Sequence, residues 1–153
     1  MIVRAERLMG YGQALEEAGL PVDPALVMNA PVNYSGGRSA VSRLSADAAP
    51  ATAALCFNDV VAIGLMHALS EAGRKPGADF AVVGFDDIEE AQHTTPALTT
   101  VAVNGRDVGA RAAQLLMQQI ASGDRTEQTI LLPTTLAIRA SCGSRPEASF
   151  GDR

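Results

Sequence analysis

An α/β fold with a parallel sheet flanked by helices is what this sequence predicts, and three observations carry the prediction. Short apolar runs of strand length, at 53–57, 80–85 and 98–103, alternate with longer segments of helical period. Aromatic residues are only 4% of the chain and Trp is absent, so the core must be built from Ala, Val, Leu and Ile, as in sheets covered on both faces. Finally, Val82-Val83-Gly84-Phe85 runs straight into Asp86-Asp87. That is a buried strand delivering carboxylates to the carboxyl edge of a sheet, where open α/β folds bind small ligands.

Each element follows from its own residues. Over residues 4–19, Leu8, Tyr11, Leu15 and Ala18 share one helical face and Gly19 stands where a C-cap belongs. Val22-Asp23-Pro24 reads as a loop and Leu26-Val27-Met28 as a short strand. Asn33-Tyr34-Ser35-Gly36-Gly37 leads into a helix over about residues 36–46, with 48–51 as connector. Asn58 or Asp59 caps a helix that continues to Ala72 through Val61, Leu65, Ala68 and Leu69, ended by Gly73. A long helix at 105–122 carries Val108, Ala112, Leu115, Leu116 and Ile120 up to Gly123. Residues 129–132 and 136–139 read as two strands around Pro133, and 143–153 as a frayed tail. A doubly wound sheet normally opens on a strand, yet none precedes the first helix. Alternating strands and helices imply right-handed parallel crossovers.

Composition narrows the function classes. At 153 residues the chain is about one domain, able to bury ~70% of its unfolded surface. With 47% apolar and 19% charged residues it should fold rather than remain disordered. The net charge of −5 repels phosphate backbones, which argues against nucleic-acid binding by this chain itself. Cys56 and Cys142 have no metal-ligand spacing and read as buried free thiols of a reducing cytosol. No signal-peptide core and no apolar run near ~20 residues is present, so the expectation is a soluble cytoplasmic protein without membrane contact.

Few residues carry candidate chemistry. Neighbouring side chains on an extended segment point to opposite faces, so Asp86 and Asp87 should not form a catalytic dyad. Asp86 could bind a polyol or sugar hydroxyl pair, cap a turn, or act in catalysis; Asp87 reads as a helix cap. Of Asn58 and Asp59, one should cap the helix and the other could face the same edge as Asp86. Arg7 could offer a planar fork to a ligand, although its position on a helix suits a solvated arginine better. Tyr34 could stack on a sugar or purine, or pack on its own helix. Ser35-Gly36 lacks the glycine of a nucleophile elbow, no phosphate loop exists, and His67 and His93 are isolated from other ligands. No enzyme, catalytic residue, metal or cofactor is therefore expected.

Taken together, Arg7-Leu8-Met9-Gly10-Tyr11, Phe57-Asn58-Asp59 with Ala62 and Gly64, Val83-Gly84-Phe85-Asp86-Asp87 and Pro96-Ala97-Leu98-Thr99-Thr100-Val101 resemble the LacI/GalR family of bacterial transcriptional regulators. Leu131-Leu132-Pro133 and Leu136, Arg139 and Ser141 extend the resemblance, which spans residues 4–142 in order and spacing. It implies a helix-turn-helix headpiece, a hinge and a two-subdomain effector-binding core of periplasmic-binding-protein type. The effector closes the cleft, and the motion changes how a dimer meets its operator. By resemblance, Arg7, Asn58 and Asp86 hydrogen-bond the effector, Tyr34 packs on it, and the helix 58–72 contributes to a homodimer interface. Residues 1–103 and 130–142 would be the C-terminal subdomain, 104–129 a crossover into the N-terminal one, and 143–153 a tail. Headpiece, hinge and the first half of the core are not in the chain, so it reads as a fragment that meets DNA only through parts it lacks. The helix at 105–122 should then expose an apolar face. Three polar residues and one aromatic suit a pentose, hexose, nucleoside or polyol alike. The rival readings are a periplasmic sugar-binding protein of a transport system and, more remotely, an α/β enzyme using Asp86.

Overall fold

The computed structural model describes residues 2–44 and 51–144. Helix α1 (Ile2–Glu17) is followed by a 3₁₀ turn at Pro24–Leu26, helix α2 (Tyr34–Leu44), strand β1 (Ala53–Leu55), helix α3 (Asp59–Glu71) and strand β2 (Ala81–Asp86). Then come a short helix α4 (Glu89–His93), strand β3 (Thr99–Ala102), the long helix α5 (Gly105–Ser122), strand β4 (Thr135–Ala137) and a 3₁₀ turn at Ala140–Cys142. The sheet order is β1-β2-β3-β4. The first three strands are parallel, in the register Ala54 to Val82 and Gly84 to Thr100, while β4 runs antiparallel to β3 with Leu136 opposite Val101. The α/β prediction holds, with an antiparallel edge strand added to the parallel sheet.

Local chemistry explains most boundaries. Asn58 caps α3 by accepting from the Val61 amide, and Asn104 caps α5 by accepting from the Asp107 amide. Gly123 closes α5 in the left-handed conformation, so that helix has the bounds its sequence indicates. Helix α2 begins on Tyr34, two residues before its expected start, because Asn33 accepts from the Gly36 amide. The end expected for that helix at 46 and the tail from 145 lie outside the described residues.

Two expected strands do not form. Leu26-Val27-Met28 splits between the 3₁₀ turn and an extended stretch, since Asp23 accepts from the Ala25 amide and Pro24 sets the turn. Its remainder joins no ladder among the described residues. Residues 129–132 likewise stay irregular, and only Thr135–Ala137 of the second candidate joins the sheet. A strand exists only where a neighbour accepts its hydrogen bonds, and neither segment has one among the described residues.

The core lies between α3 and the sheet, where Ala62, Leu65, Met66, Leu69, Phe80, Val82 and Leu98 are buried with Ala91 and Leu44. Elsewhere the packing is thin. Helix α5 has no buried residue, and Leu116, Met117 and Ile120 are 58%, 65% and 67% exposed, the bare apolar face that the sequence leads one to expect. On α1, Tyr11 and Leu15 are half-buried while Leu8 and Met9 are exposed.

The last 3₁₀ turn is locked beneath the sheet by polar contacts. Ser141 is fully buried, donating to the Val82 carbonyl at 2.6 Å and accepting from the Thr99 amide at 2.8 Å. No described helix is long and apolar enough to cross a membrane.

Candidate functional site

The polar edge lies where β1 and β2 end. Asp86 closes β2 with its side chain exposed, and its φ of 111° is one that L-residues rarely adopt. Asp87 follows at φ 55°, so the chain turns a left-handed corner before α4. The Asp87 carboxylate pairs with Arg139 at 2.7 Å. This corrects the expectation that Asp87 caps the next helix, because the N-cap of α4 is Ile88, which makes no side-chain capping bond.

Arg7 reaches this edge from α1, against the expectation that its helix position leaves it solvated. The guanidinium lies 3.6 Å from the centre of the Phe85 ring and 4.6 Å from that of Phe57, and it donates to the Phe57 carbonyl. A planar cation sandwiched between two rings is held in orientation as well as attracted. Lost hydration raises the Asp86 carboxyl above the usual aspartate range, while the nearby Arg7 charge lowers it and Asp59 raises it further. Asn58, half-buried at the mouth of α3, spends its carbonyl oxygen on the Val61 amide, so its amide nitrogen is the group left to meet a ligand.

Asp59 is fully buried and makes a different set of bonds. Thr100 donates to its Oδ1 at 2.6 Å, and the Ile88 amide donates to its Oδ2 at 2.9 Å. Of the Asn58-Asp59 pair, the first is therefore the cap and the second a buried clamp. Sequence reasoning missed the clamp; a carboxylate directly after a cap and opposite a strand glycine was its one signal.

Tyr34 is not brought to this edge. It opens α2, its hydroxyl meets His67 Nδ1 of α3 at 2.6 Å, and the two rings meet edge to face at 5.6 Å. It lines an open groove with Val60, Ile63, Glu89, Glu90 and His93, and none of Arg7, Asn58 or Asp86 belongs to that groove. Tyr34 thus packs on a neighbouring helix rather than on its own. His67 and His93 both line this groove.

Cys56 and Cys142 are free and half-buried rather than buried. Desolvation pushes the Cys56 thiol up to about 12, with Asp59 adding to the effect. Among the described residues no cluster of three or more His, Cys, Asp or Glu could hold a metal ion.

A sheet of this order with a polar carboxyl edge defines an α/β domain of the kind that takes small ligands at its strand ends. The chain belongs to the periplasmic binding protein-like domain family, which matches its residues 3–142. It is 30% identical over 139 residues to the ribose operon repressor of Haemophilus influenzae, a match covering 91% of this chain and 42% of that protein. Among solved structures it resembles the transcriptional regulator CelR in complex with cellobiose, at a TM-score of 0.83 and 32% identity, covering 90% of this chain and 42% of that one. It also resembles a LacI family regulator of Enterococcus faecium with bound ribose, at a TM-score of 0.82 and 29% identity, covering 91% and 51%. The LacI/GalR resemblance read from the sequence therefore stands. The chain spans about two fifths of the length of the curated relatives it matches.

Proposed function

We propose that the chain is the effector-sensing portion of a LacI-type transcriptional regulator and that it is not an enzyme. Residues 1–103 and 130–142 form the C-terminal subdomain and 104–129 cross into the N-terminal one. In the longer dimeric protein, ligand closes the cleft between the two and changes operator affinity. The observation that carries this reading is the convergence of Arg7, stacked on Phe57 and Phe85, with Asp86 at the carboxyl edge of the parallel strands. A carboxylate accepts two adjacent hydroxyl protons, the guanidinium and the Asn58 amide donate to ring or hydroxyl oxygens, and Phe85 supplies an apolar wall. That donor and acceptor set suits a sugar or other polyol. The bare face of α5 lies on the segment assigned to the crossover, which is consistent with a second subdomain covering it. By the family resemblance, the helix 58–72 contributes to the homodimer interface. The transport reading has less support, because the relatives named above are regulators.

The test is thermal unfolding of the chain with and without D-ribose and cellobiose. A sugar at ~100 times its dissociation constant stabilises by about 2.7 kcal/mol, which should raise Tm by roughly 5–10 °C at this size. Asp86→Ala should abolish the rise. A melt indifferent to sugars, nucleosides and polyols would sink the reading.

Binding should also respond to acid. The Asp86 carboxyl titrates above its ordinary value, so its contribution to stability is present in full below the ordinary aspartate range and lost as pH rises through the raised value. Sugar affinity has the opposite sign, since only the carboxylate accepts two hydroxyl bonds. Sugar Kd measured from about pH 6 down to about pH 4 should weaken, beginning above the range of a free aspartate. Asp86→Asn should flatten that profile, and an unchanged profile would remove Asp86 from the contact.

A further inference from the structure

We infer that Asp59 is the positioning residue of the ligand edge: it holds the left-handed corner at Asp86–Asp87 and thereby sets the direction of the Asp86 carboxylate. The inference rests on the reading of Asp86 as a ligand contact.

Two consecutive non-glycine residues at positive φ are strained, and such backbone persists only where its surroundings over-determine it. Three contacts do so here, and two of them run through Asp59. Its Oδ2 accepts from the Ile88 amide directly after the corner. Its Oδ1 accepts from the Thr100 hydroxyl, whose oxygen in turn takes the Asp87 amide at 3.4 Å. The third is the Arg139 pair with the Asp87 side chain.

The sheet is shaped around this clamp. Gly84 sits opposite Thr100 in the ladder, and a Cβ there would stand 2.1 Å from Asp59 Oδ1. The carboxylate occupies the space a side chain would need. Asp59 itself is the first residue of α3, next to Asn58 on the ligand edge. One buried carboxylate thus ties the corner bearing Asp86, strand β3 and the start of α3 into a single unit. Both its oxygens are spent within the protein, so it meets no ligand itself.

An amide cannot replace it. In Asp59→Asn one of the two acceptor oxygens becomes an NH₂ facing a donor, which leaves a buried N–H or O–H unpaired. The test combines backbone amide spectra of the chain with D-ribose and cellobiose titration, well below Tm. Asp59→Asn should displace the amide signals of Asp86, Asp87 and Ile88, leave those of β1 in place, and weaken sugar binding about tenfold, the worth of one lost hydrogen bond. Thr100→Val should do the same in part. Thr100→Ser, which keeps the hydroxyl, should restore both the corner signals and the affinity.

A clamp that merely stabilises the fold would lower Tm in Asp59→Asn while the corner signals and Kd stayed put, and that result overturns the inference. If Asp59→Asn does not fold, the Thr100 pair decides: rescue by Ser supports the inference, and equal behaviour of Ser and Val overturns it. If the unsubstituted chain binds neither sugar, or Asp86→Ala binds as well as it does, the ligand reading falls. The corner signals of the Asp59 and Thr100 variants then decide the positioning role by themselves.

Discussion

Replacing Gly64 by alanine is expected to cost the fold about 3 kcal/mol, the upper end of ordinary overpacking. Helices α2 and α3 touch backbone to backbone at this point. A Cβ on Gly64 would lie 2.1 Å from the Tyr34 carbonyl oxygen, and one on Gly37 would lie 2.0 Å from that of Val61. Neither obstacle is the tip of a flexible side chain, so the helices must separate. Separation would open the core beside Leu65 and Met66, which are 2% exposed, and would break the Tyr34–His67 contact across the same seam. In a chain of this size such a loss should lower Tm by roughly 6–12 °C. Gly109→Ala on α5 is the control: nothing lies within 4 Å of its added Cβ, and trading Gly for Ala in an exposed helix should gain up to about 1 kcal/mol. Urea unfolding of both variants checks the pair. A Gly64→Ala loss below about 1 kcal/mol would mean that the helices slide apart cheaply and that the seam does not organise the core.

The same seam shows why some features could be read from the sequence and others could not. Strand β2 announces itself because one face is buried and the other at least half-covered, so that it contains an unbroken apolar run. Helix α5 announces itself because cap, period and closing glycine are all local to it. Leu26-Val27-Met28 carries an equally apolar signature and forms no strand, because strand formation depends on a neighbour that local sequence does not specify. Tyr34, from its loop position, suits a ligand or its own helix alike, whereas the partner that claims it, His67, lies on another helix. Asp59 and Arg7 follow the same logic. Each looks like a surface residue until distant segments supply Thr100 and Ile88 for one and Phe57 and Phe85 for the other. The polar edge was legible as a set of residue types; its internal division of labour is a product of tertiary contacts.

Arg7→Ala should release α1 from the rest of the fold while the core stays intact. The helix has 16 residues, close to the length at which isolated helices are marginal in water, and Gly10 and Gly12 in its interior each cost about 1 kcal/mol relative to alanine. Its residues 5–17 contribute nothing to the buried cluster around Leu65 and Phe80, and Met9 is 72% exposed. Arg7 supplies what packing does not, with a charged donor on the Phe57 carbonyl and two ring contacts. A hydrogen bond from a charged group is worth about 1.5–3 kcal/mol, and each cation–π contact adds about 0.5–2. Losing all three should exceed what Tyr11 and Leu15, half-buried at best, can hold. The expected result is fast amide exchange throughout α1, a loss of helical ellipticity equivalent to that one helix, and unchanged protection in α3 and β2. Sugar binding should vanish with it, since the same side chain faces the ligand edge. Arg7→Lys should fall between, keeping the charge but losing the flat fork that two rings can sandwich. Full protection of α1 in Arg7→Ala would assign the docking of that helix to Tyr11 and Leu15 instead, and a retained sugar response would take Arg7 out of the ligand edge.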